Sequence, residues 1–466
     1  MTSEAAFLSS ERTARAIDEL AARLGTGSYA DVPDVVRTRL PLVLTDLLGV
    51  TVAGMHTPEL RRLVEAWPRP SGPHPLLGTD LTTTPEVAAL LAATAACSQE
   101  LDEGNKYAAG HPAAHVVFAA VAAAQQAADA GTRVSGERFM AAVAAGYEVA
   151  ARFGRATHSA RPWHPHGHWG TTGAACAASV VLGATPAQVA AAIDAATGTM
   201  TVAPWATVLA GDFTRNLWMG QANVGGLSAA HLARAGLVAN RGGAQAALAL
   251  VGELEPDALT ADLGERWLAA EGYLKQHSAC SYTHAAVDLV QTLRAAGEWR
   301  TSDVARVHVA THSLARPLLQ RDPASRLAAM FSLPFVVSTA VVSGSVDPDA
   351  MEPGTSAFEE AQHFSERVEV EVLEELDAWL PDRRITEVRI DLRDGTSVSL
   401  AQPDPIGDTA HFPFGEDDIV AKLDRLLGTG RDDAGPSARD LLAGVRSLVE
   451  ADDVVAALAE LPLVRR

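Results

Sequence analysis

Apolar residues recur every three to four positions through most of the first 260 residues, and that spacing predicts one helix after another. ERTARAIDELAARLG and PDVVRTRLPLVLTDLLGVTVAG open the series, each closed by a glycine. VAALLAATAACSQELDE, HVVFAAVAAAQQAADAG, SGERFMAAVAAGYEVAARFG and TPAQVAAAIDAATG extend it. RNLWMGQANVGGLSAAHLARAGL reads the same way, with Gly220 and Gly225 where backbones can approach closely. Near residue 270 the period shortens to two. SDVARVHVATH, FSERVEVEVL and ITEVRIDLRDGTSVSLAQP alternate as strands do, the last broken by a hairpin turn at Asp394–Gly395. Helical stretches, THAAVDLVQTLRAAG and RLAAMFSLPFVVSTAVVSG, lie between them. GEDDIVAKLDRLLG onward is helical again, and GTGRDDAGPS reads as a short loop. The expected fold is mainly α. A large all-helical domain over 1–271 takes back the chain at 404–466, and a smaller α+β domain is inserted over 272–403.

Composition narrows the class. Of 466 residues, 48% are hydrophobic and 20% charged, and aromatic content is only 5%; runs such as AAVAAAQQAADA favour close-packed helices in a soluble globular chain. A net charge of −20 argues against nucleic acid or an anionic membrane as partner and leaves a small anionic substrate open. Cys97, Cys176 and Cys280 follow no disulfide or metal spacing, so reduced thiols are expected. The N-terminus lacks an apolar signal core and no stretch is long enough for a bilayer, so a cytoplasmic location is expected. Basic residues are almost all arginine; lysine appears only at 106, 275 and 422. Lys422, on an amphipathic helix, reads as a solvated surface residue, while Lys106 and Lys275 stand in histidine-bearing segments.

Four segments combine titratable side chains with glycine, proline or a helix start. ELDEGNKYAAGHPAAH crowds Asp102, Glu103, Lys106 and His111 between two helices, with Pro112 suited to a first helical turn. WHPHGHWGTTG places His164, His166 and His168 in a Pro/Gly-rich loop before a helix whose expected cap is Thr171 or Thr172. Imidazoles that titrate near neutrality beside the N–H groups of a helix start suit proton transfer next to a carboxylate. GDFTRNLWMGQANVGG offers Arg215, whose guanidinium can hold a carboxylate with two parallel bonds or pair with a structural acid. YLKQHSACSYTHAAVD brings Lys275, Cys280 and His284 to the predicted domain junction, where clefts form. The HxHxH spacing could bind a metal if extended, but the intervening Gly and Pro oppose that geometry, and no metal is expected.

These segments, in this order, resemble the MmgE/PrpD family, which includes 2-methylcitrate dehydratase, cis-aconitate decarboxylase and an iminodisuccinate epimerase. The landmarks run over nearly the whole chain: ELD…HP at 100–112, GYEVAARFG at 146–154, HP…G..GAA.AAS at 164–179 and RNL…G…G..AA.LA..G at 215–236. K…AC.YTH..VD at 275–288, FSLPF at 331–335 and IDLRDG at 390–395 follow. The resemblance implies a homodimer, an inserted α+β lid, a cleft holding a di- or tricarboxylate, and no metal or organic cofactor. It puts the family's catalytic acid on Asp102, its following histidine on His111, the glycine-rich-loop histidine on His164 and the lysine opening the lid on Lys275. Lys106, His166, His168, Thr171, Arg215, Cys280, His284 and Phe335 are the expected substrate-binding set. Three positions depart from the pattern: Arg215 replaces a lysine, Trp218 a histidine and Phe335 a tyrosine.

The implied chemistry is a carbanion made or trapped beside a carboxylate. His164 is the expected base, Lys275 and Arg215 the stabilisers of developing charge, and Asp102 or His111 the proton donor. Loss of hydroxide makes such an enzyme a dehydratase, loss of CO₂ a decarboxylase, and return of the proton to the other face an epimerase. A cofactor-independent lyase is the leading expectation and an isomerase or epimerase the second. A metal-dependent hydrolase and a non-catalytic binding protein are the remaining alternatives.

Overall fold

A computed structural model describes residues 3–160, 162–297, 299–428 and 437–463 of the chain; positions 429–436 of the GTGRDDAGPS loop lie outside the described residues. Helices dominate, as the 3.6-residue spacing predicts. Asp34–Met55, Pro85–Ala96, Pro112–Asp129, Gly136–Ala156, Gly170–Val181 and Thr214–Arg234 pack into one large core. Alanine and glycine let their axes lie close: a Cβ on Gly220 would meet the Leu90 carbonyl oxygen at 2.4 Å. This region is not purely helical. It also holds two short antiparallel ladders, β1 (His74–Pro75) with β2 (Thr82–Thr83) and β3 (Thr157–Ser159) with β4 (Gly252–Leu254), both too short to give an alternating pattern. Among the described residues, no single helix is long and apolar enough to cross a membrane.

The strands read from two-residue alternation form a separate four-stranded sheet. β5 (Val304–Thr311) runs parallel to β6 (Val368–Val372) and antiparallel to β7 (Thr386–Leu392), which pairs in turn with β8 (Ser397–Gln402). Val309 faces Val370 on one side and Val388 on the other. Val307, Val309, Val368, Val388 and Ile390 turn inward onto the helices His284–Ala296 and Leu333–Ser343, making a second core. The opposite face is wet, and there His308 bonds Asp391 at 2.8 Å. At the β7–β8 turn Gly395 adopts φ +90° and Asp394 accepts the Thr396 N–H. RLAAMFSLPFVVSTAVVSG is two helices, not one. Arg326–Met330 stops short, and Ser332 caps the next helix by accepting the Phe335 N–H at 3.2 Å, because Pro334 has no N–H to extend the first.

After β8 the chain returns to the first core. Phe414, Ile419, Val420 and Leu423 join it, the last three from the helix Glu416–Leu427. Lys422 on that helix is buried, not solvated. Its Nζ sits 2.6 Å from Asp46 Oδ1 and donates to the Leu101 carbonyl at 2.8 Å. Amphipathic spacing marks which face is apolar but cannot reveal a buried acid waiting on a neighbouring helix.

Candidate active site

Between the two cores lies a narrow cavity of about 40 Å³, walled by residues from both. On the first-core side, Glu100, Ala109 and His111 come from the segment before the Pro112 helix, and His164 and His166 from the segment before the Gly170 helix. Cys280, Tyr282, Leu314, Phe331 and Arg384 close the other side. Glu100 and Ala109 hold φ of +53° and +51°, the left-handed region that costs a side-chain-bearing residue about 1–2 kcal/mol. Strain of this kind persists where the surroundings over-determine it, and both residues line this cavity.

His111 is fixed from behind. Its Nδ1 donates to the Glu103 carbonyl at 2.6 Å and stands 3.0 Å from Asp102 Oδ2. A proton held on Nδ1 leaves the Nε2 lone pair as the ring's free basic site. Asp102 is fully buried. Burial opposes its charge, yet His111, Lys275 and Arg215 outweigh that and hold its carboxyl well below the usual range. Glu103, which accepts the Ala113 N–H at 3.0 Å and the Tyr147 hydroxyl, is pushed by burial up to about 8.

The histidine loop shows the reverse polarity. His164 Nδ1 accepts the His166 backbone N–H at 3.2 Å, and His166 Nδ1 accepts from Arg215 Nη2 at 3.1 Å. Each ring therefore carries its proton on Nε2. The His166 ring meets that of His164 edge-on at 4.2 Å and that of His111 at 4.6 Å between centroids. Burial, with Arg215 nearby, keeps both loop imidazoles well below their ordinary pKa and hence neutral. Gly167 makes the bend possible: its φ is +87°, and a Cβ there would lie 2.2 Å from Thr201 Oγ1.

Arg215 and Lys275 share one acid. Arg215 pairs with Glu100 Oε1 and donates to the Cys97 carbonyl at 3.4 Å, while Lys275 Nζ donates to Glu100 Oε2 at 3.1 Å and lies 3.6 Å from Asp102 Oδ1. Asp102 and Lys275 thus stand behind the wall, in contact with groups that line it. Lys106 lines the cavity but bonds Asp408 at 3.1 Å and the Asp382 carbonyl at 2.8 Å. Cys280 is on the wall, its thiol pushed by burial up to about 11.

Besides Asp102 and Lys275, four more expected site residues lie off the wall. His168 is buried in the histidine loop, and His284 bonds the Ala279 carbonyl at 3.0 Å. Phe335 packs on Phe358 inside the second core, 4.6 Å between ring centroids. Thr171 sits in the first turn of the Gly170 helix, which carries no side-chain cap. Thr171 and Thr172 instead donate back to the Gly167 and Trp169 carbonyls, so neither is the expected N-cap. Of the departures from the family pattern, Trp218 packs beside His164 at 5.8 Å. Among the described residues only Asp404, Asp408 and His411 bring metal-type ligand atoms within 4.8 Å of one another, and both aspartates already hold Lys106 and Arg384. The histidines of HxHxH form no such group.

Sequence reasoning assigned no role to Glu100 or Arg384. Glu100 stood inside the quoted ELD motif, and its positive φ carries no sequence mark outside glycine. Arg384 occupies an unremarkable DRR segment before β7, and nothing local announces that it reaches the cavity.

A helical core with an α+β segment, and a histidine-lined cavity at their seam, define a protein with an enzyme-like site. The chain belongs to the MmgE/PrpD family: the MmgE/PrpD N-terminal domain matches residues 18–247 and the MmgE/PrpD C-terminal domain residues 277–439. It is also 24% identical over 356 residues to a cis-aconitate decarboxylase-like protein, oryM, of Aspergillus oryzae, covering 70% of this chain and 73% of that one.

Proposed function

We propose that the protein is a dehydratase- or decarboxylase-type lyase that moves a proton next to a substrate carboxylate without a cofactor, on the di- or tricarboxylate class that the family resemblance implies. One observation carries the reading: a buried Asp102–His111 pair and two neutral histidines of opposite tautomer meet at one cavity. The supported roles reverse those expected from the sequence. His111 Nε2 removes the proton, and Asp102 steadies the imidazolium that forms. The His164 and His166 Nε2–H groups donate to the oxygen on which charge develops, or to the departing hydroxide. Arg215 and Lys275 act through Glu100, fixing the electrostatics of the wall. The second core works as a lid over the first, and the active unit is a cytoplasmic homodimer.

The test is proton NMR of the protein with hydroxylated and unsaturated carboxylates in D₂O. Elimination or CO₂ release that vanishes in His111→Gln supports the lyase. Deuterium uptake at carbon without net elimination marks an epimerase instead, and full turnover by His111→Gln removes the proposed base.

A further inference from the structure

A second cavity, of about 280 Å³, is set into the first core. Leu48, Ala92 and Phe118 wall it from the helices Asp34–Met55, Pro85–Ala96 and Pro112–Asp129, and Val455 from the helix Val454–Ala459 near the end of the chain. The returning chain closes one side: Leu463 is on the wall, and its carbonyl accepts the Gly78 N–H at 3.0 Å. No residue is shared with the histidine-lined cavity. Close-packed interiors leave few voids larger than a water molecule. An apolar void of about 150 Å³ is already enough to hold benzene.

Polarity decides what such a space would accept. Among the described residues, no lysine, arginine, aspartate or glutamate lines it, and the polar side chains on its wall are His74 and Gln125. His74 Nε2 is committed to Asp129 at 2.9 Å, so Asp129 answers any charge on that ring. Gln125 is different. It is only 7% exposed, and its Oε1 is buried without a hydrogen-bond partner among the described residues. A buried carbonyl oxygen left without a donor is costly, and the apolar wall around this one offers none. A carboxylate or an ammonium would be buried there unpaired, which is strongly unfavourable. A plain hydrocarbon would fill the space and leave Gln125 unmet.

We propose that this cavity binds an uncharged aliphatic alcohol of about ten non-hydrogen atoms. Its hydroxyl donates to Gln125 Oε1, and its chain packs on Leu48, Phe118 and Val455. The site is separate from the carboxylate chemistry and stands whether or not the proton-transfer reading does.

The experiment is isothermal titration of the full-length protein with 1-octanol, its non-donating isomer heptyl methyl ether, octanoate and octylammonium. Octanol should bind at least tenfold more tightly than each of the other three. Gln125→Leu removes an unmet polar group from an apolar wall and should fold normally. It should weaken octanol at least tenfold and leave the ether unweakened. Ala459→Trp, at an exposed position on the rim, should block the mouth and weaken octanol at least tenfold. Tricarballylate, a probe for the histidine-lined cavity, should displace no octanol. Octanol no tighter than any of the other three, wild-type octanol affinity in either variant, or displacement by tricarballylate overturns the proposal. So does octanol binding that appears only as sedimentation shows a dimer coming apart, because a second copy of the chain would then be the occupant of the mouth.

Discussion

His111 and His164 are chemically the same side chain, and their surroundings give them opposite proton polarity, on which the proposed roles rest. A carboxylate and a carbonyl behind Nδ1 leave one with a free Nε2 lone pair, whereas a backbone N–H on Nδ1 leaves the other with an Nε2–H to donate. His111→Gln should therefore lower kcat by about 10²–10⁴-fold with KM little changed. Asp102→Asn should also lower kcat, because an amide no longer stabilises the imidazolium; steady-state kinetics check both. Asp102 carries a second burden, since it helps neutralise the fully buried Lys275. Its asparagine variant should lose stability as well as rate, and His111→Gln should lose mainly rate. Equal losses of melting temperature in the two variants would contradict this division. At this scale the sequence was a good guide to which residues gather, while the tasks proposed for them rest on the tertiary structure. Asp102, His111 and His164 stood in recognisable motifs, but proton polarity depends on what lies behind each ring, and that is tertiary.

The elements carry these rings on the segments that lead into helices, which is why so much of the site was visible as punctuation in the chain. Pro112 starts the helix after His111, and Gly167 bends the loop between His166 and His168. Gly167→Ala would force a side chain into the left-handed region and against Thr201 and Trp218. A cost of about 1–3 kcal/mol is expected, together with a fall in kcat of at least tenfold as the histidines shift. Thermal melts and kinetics on the same preparation check it, and wild-type values in both would show that the loop tolerates the change. The alternating strands and the Asp394–Gly395 turn were equally legible, because a sheet with one buried face writes its period into the sequence. The Thr171 cap was not. Ser, Thr and Asn before an apolar run signal a cap only when the preceding chain is extended, and here Trp169 already has helical angles.

Across the whole molecule, buried charge and buried neutral imidazole make stability depend on partners and on pH. Lys422 ties the returning C-terminal helix to Asp46 and to the backbone beside Asp102. Lys422→Met strands the buried Asp46 carboxylate, and a loss of about 3–5 kcal/mol is expected in chemical denaturation. The pH dependence has two arms. Burial depresses His115 to about 3 and His168 to about 4, and drives His164, His166 and His284 well below their ordinary value. A histidine with a depressed folded pKa contributes stability that is full above its unfolded value, near 6.5, and is lost as pH falls through the folded one. Glu103 works the other way. Raised to about 8, its contribution is full below the ordinary carboxyl value and declines as pH rises through 8. Burial also lowers His231 and His312 and raises Asp46, Glu148 and Asp404. The seven depressed histidines outnumber the four raised carboxyls, so the melting temperature should fall steeply from pH 6.5 towards 4 and only gently from neutrality to pH 9. Scanning calorimetry across that range measures both arms. The acid arm should shrink in His168→Gln, which removes one buried imidazole that lies off the cavity wall, and a melting temperature flat between pH 7 and 4 would mean these rings are not buried neutral.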